Sequence, residues 1–281
     1  MKKFTIILIC IVSIIGFAAL AYYGLRYSRG VPVAIEEEPE KVNLKVPFVD
    51  SEIDLSKGVD LGGWDAIPSQ EIELVYQVMV LPWGKSLVSP VSVKAFHNRK
   101  DIFFYITWSD STENRMIGTS TFSDACAVMF PIDDDAQPSS LMMGFLDGAN
   151  IWHWKAVRDS KFWLKEEPKT TPYVDFHYPF EKEELFPVQD EALKSAVNDL
   201  MAIRVGTITM KSRQDVEGRG LWDNGTWHIV IKRSLKHIDD KEDAVFKLGE
   251  KRLCAFAVWE GESGDRGGRK SISNWAELQI E

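Results

Sequence analysis

From residue 91 onward the chain is built of short apolar runs broken by turn-forming residues. In "VSVKAFHNRKDIFFYITWSD" (91–110) two apolar-rich stretches flank Asn98-Arg99-Lys100-Asp101, and that spacing predicts a β-hairpin. "GRGLWDNGTWHIVIKRSL" (218–235) repeats the plan. Asp223-Asn224-Gly225 supplies the turn, and the alternation from Trp227 to Arg233 supplies the second strand. "DACAVMFP" (124–131) is apolar without alternation, which predicts a strand covered on both faces. "KRLCAFAVWEG" (251–261) predicts a further long strand, and "ISNWAELQI" (272–280) a closing one. The stretch 181–203, "EKEELFPVQDEALKSAVNDLMAI", differs: after Pro187 its apolar residues fall at helical spacing and predict one inserted helix. The expected fold is all-β dominated, a single β-sandwich of two antiparallel sheets with a short helical insertion.

The apolar run at residues 4–25 is of another kind. It carries no charge, follows Lys2 and Lys3, and precedes Arg26 and Arg29. At about 1.5 Å per residue it covers a hydrocarbon core of roughly 30 Å, with Tyr22 and Tyr23 at the level of an interfacial aromatic belt. Ala19-Leu20-Ala21 also offers a small-x-small cleavage site, but the run continues past it, which favours an uncleaved transmembrane helix. The expected organisation is an N-terminal membrane anchor or signal peptide at 1–29, a charged, proline-containing linker at 30–45, and a folded domain at 46–281. That domain is expected to be membrane-anchored on the extracytoplasmic (periplasmic) side.

Composition narrows the function classes. The 281 residues are 45% hydrophobic and 27% charged with net charge −9, ordinary for a folded domain. No basic stripe is present to bind nucleic acid. Ten tryptophans are a heavy load, read first as core packing of a β-rich fold. Of the three cysteines, Cys10 lies in the N-terminal apolar run; Cys126 and Cys254 sit in strand-like runs and read as free buried thiols. No CxxC, HExxH, GxSxG or phosphate loop occurs. His97 reads as a solvated turn residue, as does His237. His153 and His228, inside strand-like runs, read as hydrogen-bonded structural histidines. Asp133-Asp134-Asp135, between Pro131 and Pro138, lacks the glycine and glutamate of a calcium loop and reads as an exposed turn.

Three segments carry a resemblance: "SDACAVMFP" (123–131), "LMMGFLDGANIWHWKA" (141–156) and "LCAFAVWEGESGDRGGRKSISNW" (253–275). "WDAIP" (64–68) and "ITWSDST" (106–112) join them. Together, in order and spacing, they resemble the heme-b-binding gamma subunits of ethylbenzene dehydrogenase, dimethylsulfide dehydrogenase, selenate and chlorate reductases and nitrite oxidoreductase. The resemblance spans about 46–281. It implies one heme b held by a methionine and a lysine, which fall on Met143 and Lys270 in this chain. A thioether is a soft ligand that favours ferrous iron. A lysine binds iron only as the free amine, which burial and the metal promote. Gly267 and Gly268 would let the loop approach a porphyrin closely, and Arg269 is a candidate partner for a heme propionate.

Without the resemblance, Met143 reads as core packing and Lys270 as a loop lysine. Met142 becomes the ligand if the strand register slips by one, Met129 reads as core, and Lys155 as a strand-end surface lysine. The resemblance further implies a non-catalytic electron-transfer subunit working beside an iron–sulfur subunit and a molybdopterin catalytic subunit. A c-type cytochrome or a quinone would be the external carrier. The alternatives are an exported β-sandwich that binds a carbohydrate on exposed tryptophans, or a stand-alone heme sensor.

Overall fold

The alternating run at 91–110 folds as the expected hairpin in the computed structural model, which describes residues 42–77, 87–133, 148–165, 193–203, 207–236 and 242–281. Its strands are β4 (Val91–His97) and β5 (Asp101–Ser109). Asn98 Oδ1 closes the turn by accepting from Lys100 N and Asp101 N. The second hairpin joins β10 (Val216–Asp223) to β11 (Thr226–Ser234). Both its central residues, Asn224 and Gly225, have positive φ (48° and 81°), the backbone that twists in step with the strands. With β2 (Gln70–Ile72) these form a five-stranded antiparallel sheet in the order β10-β11-β5-β4-β2.

A nine-stranded sheet packs against it. Its main path runs through β1 (Asn43–Val46), β14 (Ala276–Ile280), β12 (Lys251–Trp259), β6 (Ala125–Pro131), β7 (Ala149–Lys155), β8 (Val197–Ala202) and β9 (Thr209–Met210). A branch adds β13 (Ser271–Ser273), which pairs with both β12 and β3 (Leu74–Tyr76). One pairing departs from the antiparallel expectation: β1 runs parallel to β14.

The core lies between the sheets. Val128, Phe130, Trp152, Trp154 and Phe256 from one sheet meet Phe104, Ile106, Trp227, Ile229 and Ile231 from the other. Trp152 meets Phe104 edge-on at 5.8 Å, and Trp154 meets Trp227 at 5.1 Å. Each fully buried side chain of this size contributes roughly 1.5–3 kcal/mol. The other face of the five-stranded sheet carries a second cluster, Phe96, Phe103, Tyr105 and Val230, capped by Leu55 and Trp64. Seven tryptophans are buried and Trp163 and Trp222 are half-buried; Trp83 lies outside the described residues. The packing reading of the tryptophans therefore holds for all those described.

Several expectations change. The helix expected after Pro187 is not formed over its described end: 197–202 is strand β8, paired with β7 from Trp154↔Val197 to Ala149↔Ala202. Val197 and Leu200 would share a helix face, whereas in β8 they are buried on opposite faces of the strand, and β7 would otherwise be left with an open edge. Helical structure occurs instead at Ala156–Asp159, continued as a π-helical turn at Ser160–Leu164. Asp159 anchors it by accepting from Trp154 Nε1 (2.9 Å) and Gly220 N (2.8 Å). His97 is buried, its Nε2 2.6 Å from the Glu281 carbonyl, rather than solvated. Cys126 and Cys254 are free and buried. The N-terminal run, the linker up to residue 41, Met142, Met143 and His237 lie outside the described residues. No helix among the described residues is long and apolar enough to cross a membrane.

Candidate functional site

Strands β6, β7 and β12 are largely buried on both faces, so the nine-stranded sheet has a second, outward surface that is also covered. Residues paired across a ladder share a face, and the register sets out that surface in rows. One row runs Ile272–Ala257–Ala127–His153–Asn198, and the next Trp259–Ala125–Lys155. On the other side lies Ala255–Met129–Ile151–Leu200. Ala125, Ala127 and Ala257 give this face a shallow apolar floor with no side chain beyond a methyl group.

Lys270 reaches the same face. Ser271 points inward, where its Oγ accepts from Val88 N (3.1 Å), so strand alternation turns Lys270 outward. The preceding turn is shaped by reciprocal backbone bonds between Arg266 and Arg269 and by Gly267 at φ 56°. Lys270 is 6% exposed, with Nζ 4.6 Å from the centre of the Trp259 ring. It makes no hydrogen bond or ion pair with any described residue, and burial alone pulls its pKa down to about 8. Trp259 is held by its own N–H, which donates to Gly267 O at 2.9 Å.

His153 stacks on the same indole, ring centres 4.7 Å apart. Its Nε2 is buried with no hydrogen-bond partner, which corrects the expectation of a hydrogen-bonded structural histidine. Burial, then the charges of Lys155, Lys270 and Arg158, hold its pKa well below the usual imidazole value. His228 does fit the structural reading: its Nδ1 lies 2.6 Å from the Tyr105 hydroxyl.

Arg269 is half-buried beside Tyr76 and Asp265, and its charge works against burial to lower the pKa of both. Its Nε is buried without a partner. Tyr76 donates to Asp265 at 2.8 Å, and burial raises Asp265 to about 6. The loop is tied to the sandwich by Asp124 at the start of β6. Asp124 accepts from Gly261 N (2.8 Å), Trp227 Nε1 (3.0 Å) and Asn114 N (2.7 Å), while burial pushes its pKa to about 7. Gly261 is required there, because a Cβ would lie 2.0 Å from Phe122 O.

The structure thus brings Lys270 and Arg269 to one loop and sets Lys270 against Trp259, whose indole also meets the His153 ring. Sequence reasoning missed both of those neighbours as site residues. The signal was present in β12, where Ala255, Ala257 and Trp259 alternate with Cys254, Phe256 and Val258: an apolar outer set beside an apolar inner one. Met129, read as core, stands half-buried on the outward face. Among the described residues no three His, Cys, Asp or Glu side chains are grouped to hold a metal ion. The donors of this face are an amine and an imidazole, a set suited to an iron centre inside a ligand ring of its own. The exposed tryptophans that a carbohydrate platform needs are absent among those described.

Residues 62–271 match a family model described as ethylbenzene dehydrogenase. A protein of Haloferax mediterranei, named as a respiratory nitrate reductase heme subunit, is 23% identical over 96% of this chain and 79% of its own length. The chlorate reductase gamma subunit of Ideonella dechloratans is 21% identical over 77% of each chain. Among solved structures, a family 9 carbohydrate-binding module of Caldicellulosiruptor kristjanssonii in complex with cellotriose aligns with TM-score 0.44 and 10% identity. That alignment covers 85% of this chain and 93% of that one.

Proposed function

Because the chain belongs to the ethylbenzene dehydrogenase family, we propose that it binds one heme b and serves as a non-catalytic, electron-transfer subunit of a multisubunit oxidoreductase. Lys270 carries the reading: a buried lysine with no counter-ion among the described residues, already shifted toward its free-amine form, approaches the state in which lysine donates to iron. Met143 would supply the second ligand, a thioether whose softness complements the amine. Arg269, with an unsatisfied Nε at the same loop, takes a heme carboxylate. The heme supplies one-electron chemistry when bound. The chain would supply an apolar, water-poor floor from Ala125, Ala127 and Ala257, an aromatic wall in Trp259, and an amine donor in Lys270.

In this reading the neighbours are an iron–sulfur subunit and a molybdopterin catalytic subunit, with a c-type cytochrome or a quinone as outside carrier. The run at 4–25 attaches the assembly to the membrane and places this domain on the extracytoplasmic side. Names of similar proteins, a heme subunit and a gamma subunit of two reductases, support the place of this chain as a heme subunit of a multisubunit oxidoreductase.

Visible spectra of the purified chain, reduced and oxidised, test it. The expected result is a low-spin b-type spectrum that turns high-spin or disappears in Met143→Ala and in Lys270→Ala. A folded chain that stays colourless after expression with ample heme would sink the reading.

A further inference from the structure

His153 and Asn198 are direct partners across β7 and β8, so both side chains stand on the outward face of the nine-stranded sheet. His153 is 9% exposed and Asn198 3%, yet His153 Nε2 and Asn198 Oδ1 are both buried without a hydrogen-bond partner. Residues directly opposed on an antiparallel ladder have Cβ atoms about 5 Å apart, so the two polar groups form one spot. An imidazole N–H and a carboxamide oxygen could satisfy each other, and here they do not. Two adjacent buried polar atoms left open call for an explanation.

The surroundings indicate what would complete the pair. After burial, the charges that lower the His153 pKa are those of Lys155, Lys270 and Arg158, so the ring lies in a positive potential. Arg158 directs Nη2 to Ser195 O at 3.2 Å, and Lys155 has a partner of its own. These cations keep the imidazole neutral, and a neutral imidazole carries one N–H. The Asn198 carboxamide, turned by half a rotation about its last bond, presents its NH2 where Oδ1 stands. Two neutral donors side by side in a positive potential suit an anion with two acceptor oxygens, which is a carboxylate.

Trp259 joins this spot to Lys270 while keeping the two apart. His153 and Trp259 stand on strands separated by β6, about 10 Å apart at two strand spacings. Only the methyl groups of Ala125 and Ala127 lie between them on β6, so both rings lean across it and meet at 4.7 Å. Lys270 Nζ lies 4.6 Å from the same indole, on the β13 side. The amine therefore stands at one end of the alanine floor, and the His153–Asn198 pair at the other.

We infer that His153 and Asn198 form a carboxylate-binding subsite, in which His153 Nε2–H and the Asn198 carboxamide donate to one carboxylate of the heme. The inference rests on the heme reading above. The rim of heme b offers no hydrogen-bonding group other than its two carboxylates, of which Arg269 takes one in that reading. A heme held at Lys270 thus gains a second anchor across the floor. The pair acts on retention and orientation, and it does not touch the iron.

The test measures heme transfer from the full, heme-loaded chain to apomyoglobin, with native heme and with its dimethyl ester. His153→Phe keeps an aromatic ring on Trp259 and removes the N–H; Asn198→Leu keeps the volume and removes the amide. With native heme each variant should release about ten-fold faster than the parent chain. With the ester, which carries no carboxylate charge, that difference should vanish. Parent-like release by either variant, or equal acceleration with both forms of heme, overturns the inference. Should the variants not fold, the 15N spectrum of the loaded parent chain with labelled histidine decides: a protonated His153 Nε2 is expected, and an Nε2 without a proton rules out the donor. If excess acetate shifts the His153 signal of the loaded chain, the carboxylate comes from solution and the assignment to heme fails. A chain without a low-spin spectrum, or with one indifferent to Lys270→Ala, overturns the heme reading and this inference with it. A Lys270-dependent spectrum with parent-like release in the variants overturns only the inference.

Discussion

The Lys270 amine lies 4.6 Å from the centre of the Trp259 ring, and Trp259 is fixed by its N–H bond to Gly267 O. Strand β12 ends on Trp259, and the turn that follows brings Lys270 back onto it. A cation over an indole gains roughly 0.5–2 kcal/mol, less than burial without a counter-ion costs. The contact therefore orients the amine without making it a comfortable ammonium, and four expectations follow from this and from the loop's supports.

Lys270→Met should stabilise the heme-free chain at pH 7. Moving the lysine pKa from 10.5 to about 8 corresponds to an upper bound of about 3 kcal/mol, from which the lost cation–π contact subtracts. A gain of about 1–2 kcal/mol in urea unfolding is expected, together with loss of heme retention. A less stable variant would contradict this account.

Asp124 sets a pH dependence opposite to that of most carboxylates. Its pKa rises from 3.8 to about 7 on folding, so the folded chain holds this proton more tightly than the unfolded one. Its contribution is most favourable below about pH 4, declines as pH rises toward 7, and is level above that. The full effect is at most about 4 kcal/mol. Unfolding profiles of Asp124→Asn and the parent chain between pH 5 and 8 check it: the parent should lose stability with rising pH relative to the variant. The variant should be weaker overall by about 1–3 kcal/mol, since its amide cannot accept all three N–H groups.

Gly220→Ala should destabilise the sandwich without touching the candidate site. A Cβ at this position would sit 2.2 Å from Trp154 Cζ2 and 2.8 Å from Ile229 Cδ1, forcing a buried indole to move. A loss of about 2–3 kcal/mol in denaturant midpoint is expected, with the heme spectrum of the folded fraction unchanged.

Trp259→Phe keeps an aromatic wall and removes the N–H that holds Gly267. A stability loss of about 1 kcal/mol is expected. Faster heme loss to a scavenger such as apomyoglobin should accompany it, because the turn carrying Lys270 loses its tether. Unchanged heme-loss kinetics would show that the hydrogen bond does not position the lysine.

The β frame was legible because it is written locally. Asn224-Gly225 sets its own turn, Asn98 closes the other, and the apolar inner and outer sets of β6 predicted a strand covered on both faces. The misread helix shows where local pattern stops: Val197 and Leu200 would share a helix face but lie on opposite buried faces of a strand, and only the open edge of β7 decides between them. His97 was misread for a similar reason, since its partner, the Glu281 carbonyl, is distant in sequence and invisible to any local pattern. For the site, Lys270 was reachable only through family resemblance, because a lysine after two glycines looks like any loop residue. Its burial comes from β13 pairing with both β12 and β3, a long-range outcome. Trp259 and His153 were hidden by the sheet register, which alone shows that Ala125 and Ala127 leave them room to meet.

The alanine floor faces away from the sandwich interior, and that orientation sets an order of assembly. The two sheets close on Trp152, Trp154, Phe104 and Trp227, a core that uses none of the floor's side chains. On the heme reading proposed above, the sandwich core would form first and the prosthetic group would be added as a separate step. Substitutions on the floor would then alter what is carried while leaving the carrier intact, giving the family room to retune its cargo without rebuilding its scaffold.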